Sequence, residues 1–300
     1  MTAPVTLSRA TRSPITRRDD SRHSGPRQSL VVKILLYLGL VVVGLAAIIP
    51  IYWLLSSSVK PSGEIFVFPP RWFPTNFHWM NFVQAWHSAP FGRMYVNSVV
   101  ITVLGTAGEI AVAVLSSYAF VFLPFPRKNL IFGIFLGAMM VPGTVVLLPN
   151  YMTVAQLGWV NTYAGLIVPG WGSVFAMFLL RQHMMTLPTE ITEAGRVDGA
   201  GHLRTLWSIV LPLSKPMVVT VMIVTMVSKW NDFIWPLIVT NTDSMRVLPV
   251  GLLMLKSDEG YTDWGAVMAA TCFVVIPVLV VFFFAQRQIV AGLTQGATKG

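Results

Sequence analysis

The sequence is poor in charge and contains a single cysteine. Asp, Glu, Lys and Arg make up 11% of its 300 residues, whereas soluble domains average about 25%. A chain with so few charges cannot cover a water-exposed surface, so we expect lipid to be its main solvent. The one cysteine, Cys272, lies within an apolar run. A single cysteine excludes a disulfide framework and a cysteine-based metal site.

Motifs for autonomous chemistry are also missing. No GxxxxGK(S/T) segment, which would cradle nucleotide phosphates, occurs in the chain. The histidines show no HExxH spacing, which would indicate a zinc-dependent hydrolase. These absences predict a protein that is not an enzyme and has no catalytic residue, metal site or cofactor of its own.

The net charge of +9 has a distribution typical of membrane topology. Six arginines fall in the first 29 residues, and most other basic residues lie between apolar segments. With the N-terminus inside, fifteen Lys and Arg fall on the cytoplasmic side and five on the outer side. We therefore expect both termini in the cytoplasm, and no nucleic-acid partner.

Six apolar segments are long enough to cross a bilayer, which takes about 20 residues. The uncharged stretch 129–180 is too long for one span and divides at the polar, turn-prone residues 156–161. We therefore predict an all-α membrane protein with six transmembrane helices. The predicted spans are 34–55, 96–123, 130–153, 162–180, 216–239 and 264–285. Several contain proline, which suits a bundle that encloses a cavity.

These features divide the chain into five parts. In chain order, we expect a disordered cytoplasmic tail over 1–30, a first transmembrane helix over 31–58, an extracytoplasmic aromatic-rich segment over 59–92, a five-helix core over 93–287 and a cytoplasmic C-terminal tail over 288–300. The aromatic rings of 59–92 are expected to pack at the membrane–water boundary rather than to stack on sugars.

The long predicted cytoplasmic loop, 181–215, holds the most informative sequence. Pro188 is expected to open a short helix, and Gly199 to end it in a left-handed turn. A second short helix is expected from about His202 toward Leu211, where Pro212 stops it. The product is a compact helix–turn–helix with small residues against which another protein could pack closely.

This loop resembles the EAA loop of binding-protein-dependent ABC importer permeases. Glu193-Ala194-Gly195, then Gly199, then Ile209-x-Leu211-Pro212 follow the family spacing, with Gly195 replacing the last alanine of the pattern. The resemblance extends over residues 31–300. In detail, the sequence is similar to the six-span, maltose-type carbohydrate permeases. The stretches that carry this second likeness are 60–61, 68–72, 90–93, 95–98, 230–237 and 292–300.

The resemblance implies the type I ABC importer permease fold and a place in the bacterial plasma membrane. It implies a transmembrane subunit that forms half of the path for a di- or oligosaccharide, or for a polyol such as glycerol-3-phosphate. The implied partners are a second homologous permease, a homodimeric ATP-binding subunit that holds ATP and Mg²⁺, and an extracytoplasmic solute-binding protein.

The resemblance also implies roles for particular residues. In this family the loop forms the coupling helices that seat in a cleft of the ATP-binding subunit. The implied coupling residues are Glu193, Ala194, Gly195, Asp198, Gly199, Ile209, Leu211 and Pro212. The tail residues Gly292, Thr294, Gly296 and Lys299 are expected to reach the ATPase interface.

Three charged residues, Glu109, Lys229 and Asp232, lie within predicted spans. Such residues can relay ions, so the alternative function is an ion-coupled secondary transporter. Lys229 and Asp232, three apart on one predicted helix, could neutralise each other, whereas Glu109 needs a partner from another helix or a wet cavity. We favour structural or cavity-lining roles. The candidate path residues are Glu109, Lys229, Trp230, Asn231, Asp232 and Trp235.

Overall fold

The computed structural model describes residues 30–188, 190, 193, 195, 197–255 and 262–294, with side chains as far as 286. Within these residues the secondary structure is helical throughout, without strands. In this part of the chain, five helices are long and apolar enough to cross a membrane, and a pair bent by 102° is a sixth candidate. The predicted all-α membrane fold is confirmed.

Two units make up the chain, 1–50 and 51–300. Helix α1 (Leu30–Ser57) begins in the first unit and ends in the second. It has 28 residues and only one charge, Lys33, and at about 1.5 Å per residue it exceeds the roughly 30 Å of a hydrocarbon core. Helix α2 (Met80–Ser88) follows a loop, and α3 (Phe91–Phe122) is the next long span.

The third predicted span, 130–153, is not one straight helix. Helix α4 (Lys128–Met139) ends before Pro142, and α5 (Gly143–Gln156) begins after it, with an angle of 102° between them. Pro142 has an extended ψ of 133°, and its ring disfavours helical backbone at Val141. The prediction of a continuous span is therefore wrong at this point.

The fourth candidate span, Tyr163–Met184, is built from three pieces. Helix α6 (Tyr163–Ile167) leads into a 3₁₀ turn (Val168–Trp171) and then α7 (Val174–Met184). The hydroxyls of Thr162 and Ser173 accept N–H groups at the starts of α6 and α7, at 3.2 and 3.3 Å. These caps satisfy donors that a helix start leaves unpaired.

One helix of 29 residues, His202–Trp230, forms the fifth span. It consists of α8 (His202–Thr205), a π-helical turn (Leu206–Val210) and α9 (Leu211–Trp230). Pro212 does not stop a helix, contrary to expectation: the helix continues through it, and the π-helical turn lies directly before it. The predicted span 216–239 also ends early, at Trp230, and α10 (Ile234–Val239) is separate.

The chain closes with α11 (Leu248–Gly251), a 3₁₀ turn (Leu252–Leu255) and the long α12 (Trp264–Thr294). Helix α3 is central, since it packs against α7, α9 and α11. An apolar cluster joins Phe91 and Met94 of α3 to Ala269 and Ala270 of α12. Cys272 is buried, as expected of a small apolar group.

Candidate translocation path and coupling hairpin

An ion pair joins two long helices in the interior. Lys229 Nζ of α9 lies 2.8 Å from Glu109 Oε2 of α3, and their side chains are 17% and 10% exposed. Thr225 donates to Glu109 Oε1 at 3.4 Å, and Lys229 donates to the Gly170 carbonyl at 3.4 Å. Glu109 thus takes its partner from another helix, which is one of the two arrangements expected from the sequence.

The predicted neutralisation of Lys229 by Asp232 on one helix is wrong in its geometry. Helix α9 ends at Trp230, so Asp232 lies in the turn beyond it. Its Oδ1 accepts the backbone N–H of Trp235 at 3.4 Å, at the start of α10. The carboxylate therefore accepts an N–H group from the first turn of the next helix, while Lys229 pairs with Glu109.

Glycines make the room that the Lys229 side chain occupies. A Cβ built on Gly105 would lie 2.8 Å from Lys229 Cδ, and one on Gly170 would lie 2.8 Å from Nζ. Gly108, one turn along α3, lies against the Trp171 ring, which a Cβ would meet at 2.0 Å. The 3₁₀ turn and α3 approach closely only because these positions lack side chains.

Two concave spaces border the ion pair. A cavity of about 290 Å³ is lined by Ser98, Asn150, Lys229, Trp230, Asp232 and Trp235 among others. A more open cleft of about 860 Å³ is lined by Glu109, Lys229, Asn231 and Asp232 among others. All six candidate path residues therefore face one space or the other.

Hydrogen bonds fix the aromatic and amide side chains of this region. Trp230 Nε1 donates to the Val274 carbonyl at 2.9 Å, and Trp235 Nε1 donates to the Gly165 carbonyl at 3.1 Å. Asn231 Nδ2 donates back to the Val227 carbonyl at 2.8 Å. The rings are thus held in place by backbone acceptors on other elements.

Sequence reasoning missed several residues of this region. Asn150 is the polar side chain that α5 contributes to the smaller cavity, and Ser98 is contributed by α3. An asparagine inside an uncharged apolar run was a usable signal, since polar groups in membrane spans mostly face protein or water. Gly105 and Gly170 gave no local signal, because their role depends on Lys229.

The loop between α7 and α8 forms a closed hairpin. Residues 190, 193, 195 and 197 are helical, and Gly199 follows with φ of 75°, the expected left-handed turn. The Ala200 N–H donates to the Gly195 carbonyl at 2.9 Å. Ala194 lies outside the described residues, whereas Glu193 and Asp198 are exposed.

Gly195, the departure from the family pattern, lies where the hairpin closes on itself. It is buried, and a Cβ built on it would lie 2.6 Å from Ile209 Cδ1. An alanine here would therefore require the end of the Ile209 side chain to move. The glycine and the isoleucine of the motif are adjacent in space although they are separated by fourteen positions.

The outer surface of the hairpin is partly apolar. Val197, Leu203 and Trp207 are 87%, 68% and 62% exposed. Ile209 and Leu211 are half-buried, and Pro212 is exposed. Of the predicted tail residues, Gly292 and Thr294 continue α12, and Gly296 and Lys299 lie outside the described residues.

Comparison with known proteins identifies the family. Residues 109–295 match the family model described as "Binding-protein-dependent transport system inner membrane component". The sn-glycerol-3-phosphate transport system permease protein of Yersinia pestis bv. Antiqua is 37% identical over 262 residues, covering 85% of this chain and 93% of that protein. The protein of the same description from Escherichia coli O1:K1 / APEC is 36% identical over 263 residues, with the same coverage.

Solved structures share the fold. A bacterial ABC transporter involved in the import of the acidic polysaccharide alginate aligns with a TM-score of 0.77 at 21% identity, covering 88% of this chain and 98% of that one. A bacterial alginate ABC transporter in complex with alginate pentasaccharide-bound periplasmic protein aligns with a TM-score of 0.63 at 14% identity, covering 90% and 96%. The chain belongs to the family of inner membrane components of binding-protein-dependent transport systems.

Proposed function

We propose that this chain is a transmembrane permease subunit of a bacterial ABC importer for a carbohydrate or polyol. The observation that carries the proposal is the family match over residues 109–295, which covers both the intramembrane ion pair and the hairpin. The relatives at 36–37% identity are permeases for sn-glycerol-3-phosphate, a polyol phosphate. The family match and these relatives together support a small hydroxylated molecule as the cargo.

The cavity beside Lys229 is the proposed half of the translocation path. Its lining combines two tryptophans with an amide, a hydroxyl and a carboxylate, a composition suited to a hydroxylated ligand. The second half comes from a homologous permease. The cargo is delivered by an extracytoplasmic solute-binding protein, a proposal supported by the periplasmic protein bound to the related alginate transporter.

The hairpin is the proposed contact with a homodimeric ATP-binding subunit, which binds ATP and Mg²⁺. Exposed apolar side chains at Val197, Leu203 and Trp207 support docking of another protein there. Glu193, Ala194, Gly195, Asp198, Gly199, Ile209, Leu211 and Pro212 are the coupling residues of this proposal. The tail residues Gly292, Thr294, Gly296 and Lys299 are a second proposed contact with the ATPase.

The orientation follows from the same proposal. The hairpin must face the cytoplasm to meet an ATPase, and the excess of Lys and Arg in the N-terminal tail and the loops on that side agrees with this orientation. Both termini are then cytoplasmic, and the segment between α1 and α3 faces the solute-binding protein.

The coupling role is tested by Glu193→Lys and Gly199→Trp in the complete transporter. Both variants should insert and assemble at normal levels, yet cargo uptake should fall by at least about 90%, because a reversed charge or a bulky side chain separates the hairpin from its cleft. Uptake and cargo-stimulated ATP hydrolysis are measured in membrane vesicles.

Gln286→Lys is the matched control, since it introduces a lysine at an exposed position of α12 for which no partner contact is proposed. It should transport at the wild-type rate. Wild-type uptake and wild-type ATPase stimulation in both hairpin variants would contradict the coupling role.

A further inference from the structure

The charges that face the two spaces beside the ion pair are unequal. Among the described residues that line them, Lys229 is the one cation, whereas Glu109 and Asp232 are both carboxylates. Even with Asp232 protonated, the Glu109–Lys229 pair is neutral. This half of the path therefore presents no uncompensated positive charge to a cargo.

Two protein groups already contact the Lys229 ammonium. It contacts Glu109 Oε2 at 2.8 Å and donates to the Gly170 carbonyl at 3.4 Å. An anionic cargo that approached Lys229 would compete with Glu109 for the ammonium, and displacing Glu109 would leave its carboxylate unpaired in the interior. It would also approach Asp232, which faces both spaces.

The remaining lining favours an uncharged ligand. Trp230 and Trp235 line the cavity and have their N–H groups committed to backbone carbonyls, so their contribution to its lining is apolar. Asn150 and Ser98 add an amide and a hydroxyl. Ring faces with a few neutral polar groups match the alternating apolar and hydroxyl surfaces of a sugar.

We infer that the Glu109–Lys229 pair makes this half of the path selective for uncharged carbohydrate against phosphorylated or carboxylated cargo. The inference rests on the proposed function and narrows its cargo. It separates this chain from relatives whose descriptions name anions, sn-glycerol-3-phosphate and the acidic polysaccharide alginate. Selection works by repulsion and by withholding the cation, rather than by added contacts to the favoured cargo.

The test uses the complete transporter in nanodiscs, without solute-binding protein, and two radiolabelled probes, maltose and sn-glycerol-3-phosphate. In the wild type, sn-glycerol-3-phosphate should bind at least about tenfold more weakly than maltose. Glu109→Gln frees Lys229 from its counter-charge, so the Kd for sn-glycerol-3-phosphate should fall at least about fivefold while that for maltose changes less than about twofold.

The double variant Glu109→Gln/Lys229→Gln is the matched control, because it removes the same carboxylate together with the cation. Its affinity for sn-glycerol-3-phosphate should return to the wild-type level. Tighter binding of sn-glycerol-3-phosphate than of maltose by the wild type would overturn the inference. An assembled Glu109→Gln complex with unchanged affinity for the phosphate, or no binding of either probe in any variant, would do the same.

Uptake by proteoliposomes that contain the solute-binding protein separates this failure from failure of the proposed function. ATP-dependent uptake of sn-glycerol-3-phosphate at a rate equal to or above that of maltose overturns the charge selection and leaves the importer intact. If neither probe is taken up in an ATP-dependent manner, the result contradicts the proposed function as an importer of carbohydrates and polyols.

Discussion

Lys60 is fully buried and Lys229 is half-buried, and the surroundings of the two lysines differ. Lys60, in the loop after α1, has an exposed fraction of 0%. Its Nζ donates to the Arg71 carbonyl at 2.6 Å and lies 4.3 Å from the centre of the Trp53 ring. Lys229 instead pairs with a carboxylate on another helix, Glu109, beside two open spaces.

The difference separates a structural charge from a functional one. Around Lys60 the loop is tied together, since Asn81 of α2 donates to the Ser58 and Lys60 carbonyls at 3.0 and 2.8 Å. Gly265 of α12 lies so close that its Cβ would meet Asn81 at 2.6 Å. A backbone carbonyl and a ring face hold one lysine in a fixed place, whereas an exchangeable ion pair holds the other.

The largest effect is expected from Lys60→Ala. The substitution removes a buried four-carbon stem and leaves the Arg71 carbonyl without its donor, so the free energy of unfolding should fall by about 3–4 kcal/mol. Chemical denaturation of the detergent-purified protein measures it. Lys33→Ala, at an exposed position of α1, should change stability by less than about 0.5 kcal/mol. Equal effects of the two substitutions would show that Lys60 is not a structural tie.

A smaller effect is expected from a double-mutant cycle at the ion pair. Glu109→Gln and Lys229→Gln should each lower the free energy of unfolding by about 2–3 kcal/mol, because each leaves its partner's charge unpaired. The double variant should lose less than the sum, with a coupling energy of about 1–2 kcal/mol. Additive losses would mean that the pair contributes no direct interaction.

The smallest effect is a pH dependence at Lys60. Burial lowers the pKa of Lys60 below its ordinary value of 10.5, against the opposing effect of Glu64. Between the lowered folded pKa and the unfolded pKa, the unfolded chain binds more protons, so this group makes stability rise with pH over that window. The thermal midpoint should therefore decline less above pH 9 in the wild type than in Lys60→Met. A larger alkaline decline in the wild type would contradict the direction of the shift.

Apolar runs and glycine positions predicted much of this molecule, because they act locally. Gly199 adopts the left-handed turn that its place after a short helix indicates. The break at Pro142 was not predicted, since membrane helices often contain proline and neighbouring groups decide whether the helix bends or ends. Six other prolines lie in predicted spans, and Pro50 and Pro277 remain inside continuous helices.

The features that could not be predicted from the sequence depend on contacts between residues that are distant along the chain. Lys229 and Asp232 have the spacing of a helical pair, and only the end of α9 at Trp230 prevents it. The partner of Lys229 is 120 positions away, in α3. Gly195 stood out as a departure from its motif, but its cause, the Ile209 side chain, becomes visible only when the hairpin closes.

The 29-residue helix from His202 to Trp230 has a mechanical consequence. At a rise of about 1.5 Å per residue, Lys229 lies about 40 Å along the axis from His202. A rod of that length is a lever, so a tilt of about 5° at the His202 end moves the far end by about 3.5 Å. That displacement exceeds the 2.8 Å between Lys229 Nζ and Glu109 Oε2. If the helix moves as a rigid rod, a small tilt at the hairpin would therefore displace Lys229 by more than its distance to Glu109.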